Sequence, residues 1–283
     1  MPIMLGDIKL QVISGGRFRL DGGAMFGLVP KPLWERKVAP DARNRIPLDT
    51  NCLLARVGGR TVLIDSGFGT KLTDKQSEIY DVNERDALAS HLAGAGVTPG
   101  NIDLVVLTHL HFDHAGGCTR RNDAGELTVT FPHARHVVQA REWQDAAGDA
   151  PELRGTYEKE HFVPLHDAGL LDTIEGDREL LPGLSVRLTN GHTGGHQAII
   201  LGHGDRRAIY LGDLCPTTAH LRTFWSMGYD QFPLAQRRSK LAVLGEAADK
   251  GWLVIFDHDP KVRAAYLRRD SREEFVVREF VTL

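Results

Sequence analysis

Apolar and polar residues alternate over residues 8–20 and again over 52–64. A period of two turns one face of a strand toward a core, and the glycine pairs Gly15-Gly16 and Gly58-Gly59 can reverse the chain, so each unit is predicted to be a β-hairpin. Between them, residues 21–50 carry Gly22, Gly23, Gly27, Pro30, Pro32 and Pro40 among Phe26 and Trp34, with neither a strand nor a helical period. A connection of that length is expected to be a functional loop. Residues 82–95 place apolar groups near helical spacing, and after Gly96 and Pro99 the run 104–109 reads as a buried strand. Further strands are predicted at 127–131, 136–139, 184–189, 198–201, 207–211 and 252–256, with helices around 141–147 and 235–250. No repeat, low-complexity tract or linker interrupts the pattern. The chain is therefore predicted to be one domain over 1–283, with the loop 21–50 beside its site. Two strand-rich halves with helices between them predict an α/β architecture, two sheets face to face with helices outside.

Composition narrows the function. With 283 residues, 42% of them hydrophobic and 25% charged, the chain can bury a substantial core. A net charge of -3 offers no basic surface for a nucleic acid, so a small-molecule substrate is the expected partner. The opening MPIMLGDIKLQV has no secretory pattern, and no apolar run approaches the roughly 18 residues of a membrane span, so the expected location is cytoplasmic, with no membrane partner. Cys52, Cys118 and Cys215 are three, widely spaced, and form no Cys-x-x-Cys pair, which points to packing rather than to a disulfide framework or a zinc finger.

The chemistry concentrates in His109-Leu110-His111-Phe112-Asp113-His114, where the run Leu104 to Leu107 gives way to Ala115-Gly116-Gly117. Strand alternation puts His109 and His111 on one side, and the following turn brings Asp113 and His114 round to the same region. A chance match to this pattern has a probability of roughly 0.002 over the chain, so a coincidence of surface imidazoles is a poor explanation. Clustered imidazoles and carboxylate without thiolates suit divalent metal, zinc first, with iron, manganese or cobalt as other occupants.

Three further segments end apolar runs with metal-ligand residues: Gly191-His192-Thr193-Gly194-Gly195-His196, Tyr210-Leu211-Gly212-Asp213 and Phe256-Asp257-His258-Asp259. Upstream, Thr61 to Ile64 leads into Asp65-Ser66-Gly67. In this series the chain resembles the metallo-β-lactamase superfamily, nearest its branch of N-acyl homoserine lactone lactonases and methyl parathion hydrolase-like enzymes. The resemblance implies a four-layer αββα sandwich and a centre of two metal ions. His109, His111 and His192 would hold one ion, Asp113, His114 and His258 the other, and Asp213 would bridge them. Asp65 would orient a ligand imidazole from behind. Catalysis would then rest on a hydroxide shared by the metals, with Asp113 and Asp213 as the carboxylates around it.

A lactone or carboxylic ester is the expected substrate, with phosphotriester or thioester hydrolysis as alternatives. A metal-free binding relative is the competing reading from another class, and the completeness of the seven ligands argues against it. One departure stands out: the lactonases carry a Tyr three residues after the bridging Asp, where this chain has Pro216, and Tyr210 and Tyr229 are the phenols considered as substitutes. His196 is expected to have a hydrogen-bonding or surface role. Phe26, Trp34, Phe224, Trp225 and Met227 are expected to wall the substrate pocket. A homodimer is left open as the assembly.

Overall fold

In a computed structural model, which describes residues 2–283, fourteen strands are laid down in sequence order in two seven-stranded sheets, and a separate antiparallel pair joins Thr119–Arg121 to Leu127–Val129. The first contains β1 (Ile3–Leu5), β2 (Ile8–Asp21), β3 (Arg45–Val57), β4 (Arg60–Ile64), β5 (Leu104–Val106), β6 (Arg135–Gln139) and β7 (Leu171–Ile174). The second contains β8 (Arg178–Leu181), β9 (Leu184–Leu188), β10 (Gln197–His203), β11 (Arg206–Tyr210), β12 (Leu253–Ile255), β13 (Ala264–Arg269) and β14 (Phe275–Val281). Neighbours from β4 to β7 are parallel, and so are β11 and β12. Parallel pairs need crossovers, which the helices supply: Ala87–Gly94, Ala140–Ala147 and Val163–Asp167 on the first sheet, Pro233–Lys250 on the second. That last helix starts with Pro233 in its first turn and stops at Gly251, whose φ of 65° closes it by a bond from its N–H to the Ala247 carbonyl.

Strand alternation sorts the apolar side chains into layers. Val62, Ile64 and Val106 face the other sheet and meet Ile199, Leu201, Tyr210 and Ile255 in the central core. Leu63 and Val105 face outward onto Leu88, Leu92 and Leu165 of the first helical layer. Ile209 and Val254 pack on Val243, Leu244 and Ala247 of the second. The result is an αββα sandwich, in which each fully buried Leu or Ile contributes on the order of 1.5–3 kcal/mol.

Two expectations are corrected. Residues 8–20 are not a hairpin but one 14-residue strand, β2, paired along β3 with a bulge between Ser14 and Arg17. Gly15 and Gly16 serve close approach there rather than reversal. A Cβ on Gly15 would sit 2.7 Å from Thr50 Oγ1 and 2.9 Å from Gly67 Cα, and Gly16, at φ 123°, abuts the Phe68 ring. Residues 21–50 are not a loop throughout. Asp21 caps a helix over Gly22–Phe26 by accepting from Ala24 N at 2.8 Å, a second turn covers Lys31–Trp34, and β3 begins at Arg45. Helices of four or five residues are too short to display a period. No helix among the described residues is long and apolar enough to cross a membrane.

Candidate metal centre

The parallel strands aim their C-terminal ends at one edge of the sandwich. Asp65 follows β4, the His109 to His114 segment follows β5, Asp213 follows β11, and Asp257 and His258 follow β12; His192 lies in the link between β9 and β10. The short helix Phe112–Ala115 turns Asp113 and His114 back toward the strand ends. It can do so because the chain behind it packs backbone to backbone: Ser66 N donates to the His114 carbonyl at 2.7 Å and Gly117 N to the Gly67 carbonyl at 3.1 Å. A Cβ on Gly116 or Gly117 would collide with the backbone of Phe68 or Ser66, so side chains larger than hydrogen are excluded.

Two groups of ligand atoms result, each with its members within 4.8 Å of one another: His109, His111, His192 and Asp213, and His114, Asp213, Asp257 and His258. In the first, His111 Nδ1 lies 2.9 Å from His109 Nε2 and 3.0 Å from His192 Nε2, and His192 Nε2 lies 2.9 Å from Asp213 Oδ2. In the second, His258 Nε2 lies 3.2 Å from His114 Nε2 and 3.3 Å from Asp213 Oδ1. Asp213 is thus common to both. Asp113 stands beside the second group, 3.5 Å from His258 Nε2 and 3.8 Å from His114 Nε2.

The donor chemistry fits divalent cations. His114 Nδ1 donates to Asp65 Oδ2 (2.9 Å), His192 Nδ1 to Asp230 Oδ1 (3.0 Å), His258 Nδ1 to the Asp49 carbonyl (2.9 Å) and His109 Nδ1 to Thr108 Oγ1 (3.0 Å). Each outer acceptor fixes the proton on Nδ1 and leaves the Nε2 lone pair pointing inward, as a metal ligand requires. Three lone pairs converging within about 3 Å cannot satisfy one another, and Asp213 Oδ1 is buried without a hydrogen bond. Nitrogens about 2.0–2.1 Å from a tetrahedral ion stand roughly 3.3 Å apart, close to the spacing seen.

Electrostatics agree. Burial disfavours charge on His192, yet Asp213 and Asp230 overcome it and lift that imidazole up to about 10; Asp113 and Asp65 lift His114, against burial, to about 9. His109 and His111 are pushed well down by burial and neighbouring imidazoles. Burial raises Asp213, but His192 and His258 hold it well below the usual carboxylate range. The site demands positive charge at defined points, and a metal ion competes with protons for them.

A cavity of about 370 Å³ opens onto this floor of His111, Asp113, His192, Asp213 and His258. Leu20, Met25, Phe112 and Met227 give it apolar walls, with the phenols of Tyr80 and Tyr229, and Glu152 also lines it. Of the five side chains expected to wall it, Met227 does so. Phe26, Trp34 and Trp225 lie instead in a buried cluster behind the wall, because Phe26 stacks between Trp34 (5.1 Å) and His220 (4.6 Å) with Trp225 edge-on at 5.7 Å. Phe224 is 54% exposed, under the Arg237 guanidinium. Tyr210 does not reach the cavity; it is buried, its hydroxyl 3.3 Å from Asp65 Oδ2. His196 is buried and paired with Thr189 Oγ1 at 2.6 Å. Asp230, the Asp49 carbonyl and Asp257 were not read from the sequence; only Asp257, next to His258, carried a local signal.

The family model of the metallo-beta-lactamase superfamily matches residues 45–275, and the chain belongs to that superfamily. A probable metal-dependent hydrolase from Staphylococcus aureus is 32% identical, with a TM-score of 0.89 over 99% of this chain and 100% of that one. The N-acyl homoserine lactonase of Bacillus cereus is 27% identical over 203 residues, 68% of this chain and 70% of the lactonase. The lactonase AttM of Rhizobium radiobacter is 27% identical over 230 residues, 76% of this chain and 82% of its own length. In fold, the chain also matches AidC, a dizinc quorum-quenching lactonase, at 19% identity and a TM-score of 0.79 over 100% of this chain and 98% of AidC. The protein is a metal-dependent hydrolase.

Proposed function

We propose that the protein hydrolyses a neutral lactone or carboxylic ester at a pair of divalent metal ions, zinc in the first instance. His109, His111 and His192 would hold one ion, Asp113, His114 and His258 the other, with Asp213 shared between them. When bound, such a pair lowers the pKa of a shared water and polarises the scissile carbonyl.

One observation carries the substrate class: among the described residues no lysine or arginine lines the cavity, whereas Asp113 and Glu152 do. A remote anionic group, such as the carboxylates of a glutathione thioester, would be desolvated there without a partner. Leu20, Met25, Phe112 and Met227 suit an acyl chain instead. The lactonase relatives support the same class. Pro216 stands three residues after Asp213, and the phenols that line the cavity are those of Tyr80 and Tyr229. Either can donate to a carbonyl oxygen in a bound ester.

Steady-state rates of the zinc-loaded protein on an N-acyl lactone, an aryl ester, a neutral phosphotriester and a glutathione thioester test the reading. We expect kcat/KM for the lactone or ester to exceed the other two at least tenfold, a difference of about 1.4 kcal/mol in transition-state stabilisation. A phosphotriester or thioester that is hydrolysed fastest overturns it.

A further inference from the structure

Asp257 is fully buried, and neither of its carboxylate oxygens has a hydrogen-bond partner. Its backbone is held firmly: Asn51 N donates to the Asp257 carbonyl at 2.6 Å, and Asn51 Nδ2 clamps the flanking carbonyls of Phe256 and Asp259 at 3.1 and 2.8 Å. The side chain is directed at the second ligand group, with Oδ2 3.5 Å from His258 Nε2 and one oxygen within 4.8 Å of the ligand atoms of His114, Asp213 and His258. A buried carboxylate without donors costs several kcal/mol unless a cation answers it. The nearest imidazoles spend their Nδ1 protons elsewhere, His114 on Asp65 and His258 on the Asp49 carbonyl, and turn Nε2 toward the same pocket.

We propose that Asp257 is a ligand of the ion in the second pocket, an inference that rests on the two-metal reading above. The pockets are then chemically unlike. The first offers three imidazoles and one carboxylate, the second two imidazoles and the carboxylates of Asp213 and Asp257, with Asp113 alongside. Oxygen-rich donor sets suit harder ions, so the second pocket accepts Mn²⁺ where the first selects Zn²⁺. Zinc outcompetes manganese at most nitrogen and oxygen sites, and the test must therefore control the order of addition.

The full-length, metal-stripped protein is given one equivalent of Zn²⁺, then excess Mn²⁺, freed of loose metal by gel filtration, and measured by elemental analysis and by the Mn²⁺ paramagnetic resonance signal. We expect one zinc and one manganese per wild-type chain, and at least tenfold less retained manganese in Asp257→Asn with its zinc unchanged. A variant that retains manganese like the wild type overturns the inference alone. So does a variant whose metal-free melting temperature falls while its manganese retention stays the same, since that marks a structural role. The wild-type result stands without any variant: zinc held in both pockets against excess manganese also overturns it. Fewer than two ions in wild type under any loading removes the two-metal reading and this inference with it.

Discussion

The two pockets share Asp213 but are braced differently. In the second, both imidazoles have outer acceptors, Asp65 for His114 and the Asp49 carbonyl for His258. In the first, His192 leans on Asp230 and His109 on Thr108, while His111 enters by Nδ1 and its buried Nε2 has no partner. The unbraced ring is also one that lines the cavity, with Tyr157 at 5.4 Å between centroids. One pocket is therefore set by the sheets behind it, and the other retains freedom where substrate arrives. Outer-sphere hydrogen bonds fix ligand orientation, so their distribution sets how firmly each ion is held.

The strongest break in this comparison is Asp213→Ala, which removes the carboxylate common to both. Activity should fall by more than the ~10–100-fold typical of an outer residue, with metal content dropping at both pockets, as elemental analysis and lactone or ester turnover will show. An active variant with two ions would end the shared-ligand picture. Asp65→Asn and Asp230→Asn then separate the pockets. Each should cost ~10–100-fold in metal affinity, the first chiefly at the His114 pocket, with a smaller effect on His109 through Thr108, whose Oγ1 donates to Asp65 Oδ2 at 2.8 Å, and the second at the His192 pocket, resolved by stepwise chelator titration. If both variants lose the same ion, the pockets are not independently braced.

A buried imidazole outside both pockets supplies a control. His136 on β6 has no partner on either ring nitrogen, and burial pushes it down to about 4. The folded ring resists a proton that the unfolded chain accepts at its ordinary value near 6.5. Stability should therefore fall as pH drops from about 6.5 and level off near 4, by up to roughly 3 kcal/mol from this residue. Urea midpoints between pH 4 and 7 check this, and His136→Phe should flatten the slope while leaving metal content untouched. The smallest effect is expected at Phe224, whose ring is exposed away from the cavity. Phe224→Ala should change kcat/KM less than about twofold, since surface changes away from special features are usually within about 0.5 kcal/mol.

What the sequence made legible follows from how local each signal is. His109, His111, Asp113 and His114 fall within six residues, so their convergence needs only a strand end and a turn. Asp230 supports His192 from 38 residues away, a pairing that exists only once the helix Pro233–Lys250 and its approach are folded. The Gly15-Gly16 pair looks like a turn because a bulge and a reversal make the same demand on a backbone, freedom from a Cβ. The strands β1, β7, β8, β13 and β14 escaped because the first three span only three or four residues and the last two do not alternate cleanly between buried and exposed positions. Phe26 and Trp34 were misplaced for a related reason: aromatics near a site serve equally as its wall or as the support behind it, and composition does not distinguish the two.

The placement of the strands also has a kinetic meaning. His111 and His192 are 81 residues apart, His114 and His258 144, and each pair joins a loop of one sheet to a loop of the other. Contacts of such high sequence separation form late, after loop-closure entropy has been met by strand pairing within each half. Neither pocket exists in the folding transition state unless the sheets have already docked, so metal should leave the folding rate nearly unchanged. It should act on the return path, slowing unfolding as each ion fastens two halves that otherwise adhere through side-chain packing and a few backbone bonds, such as Asn51 N to the Asp257 carbonyl.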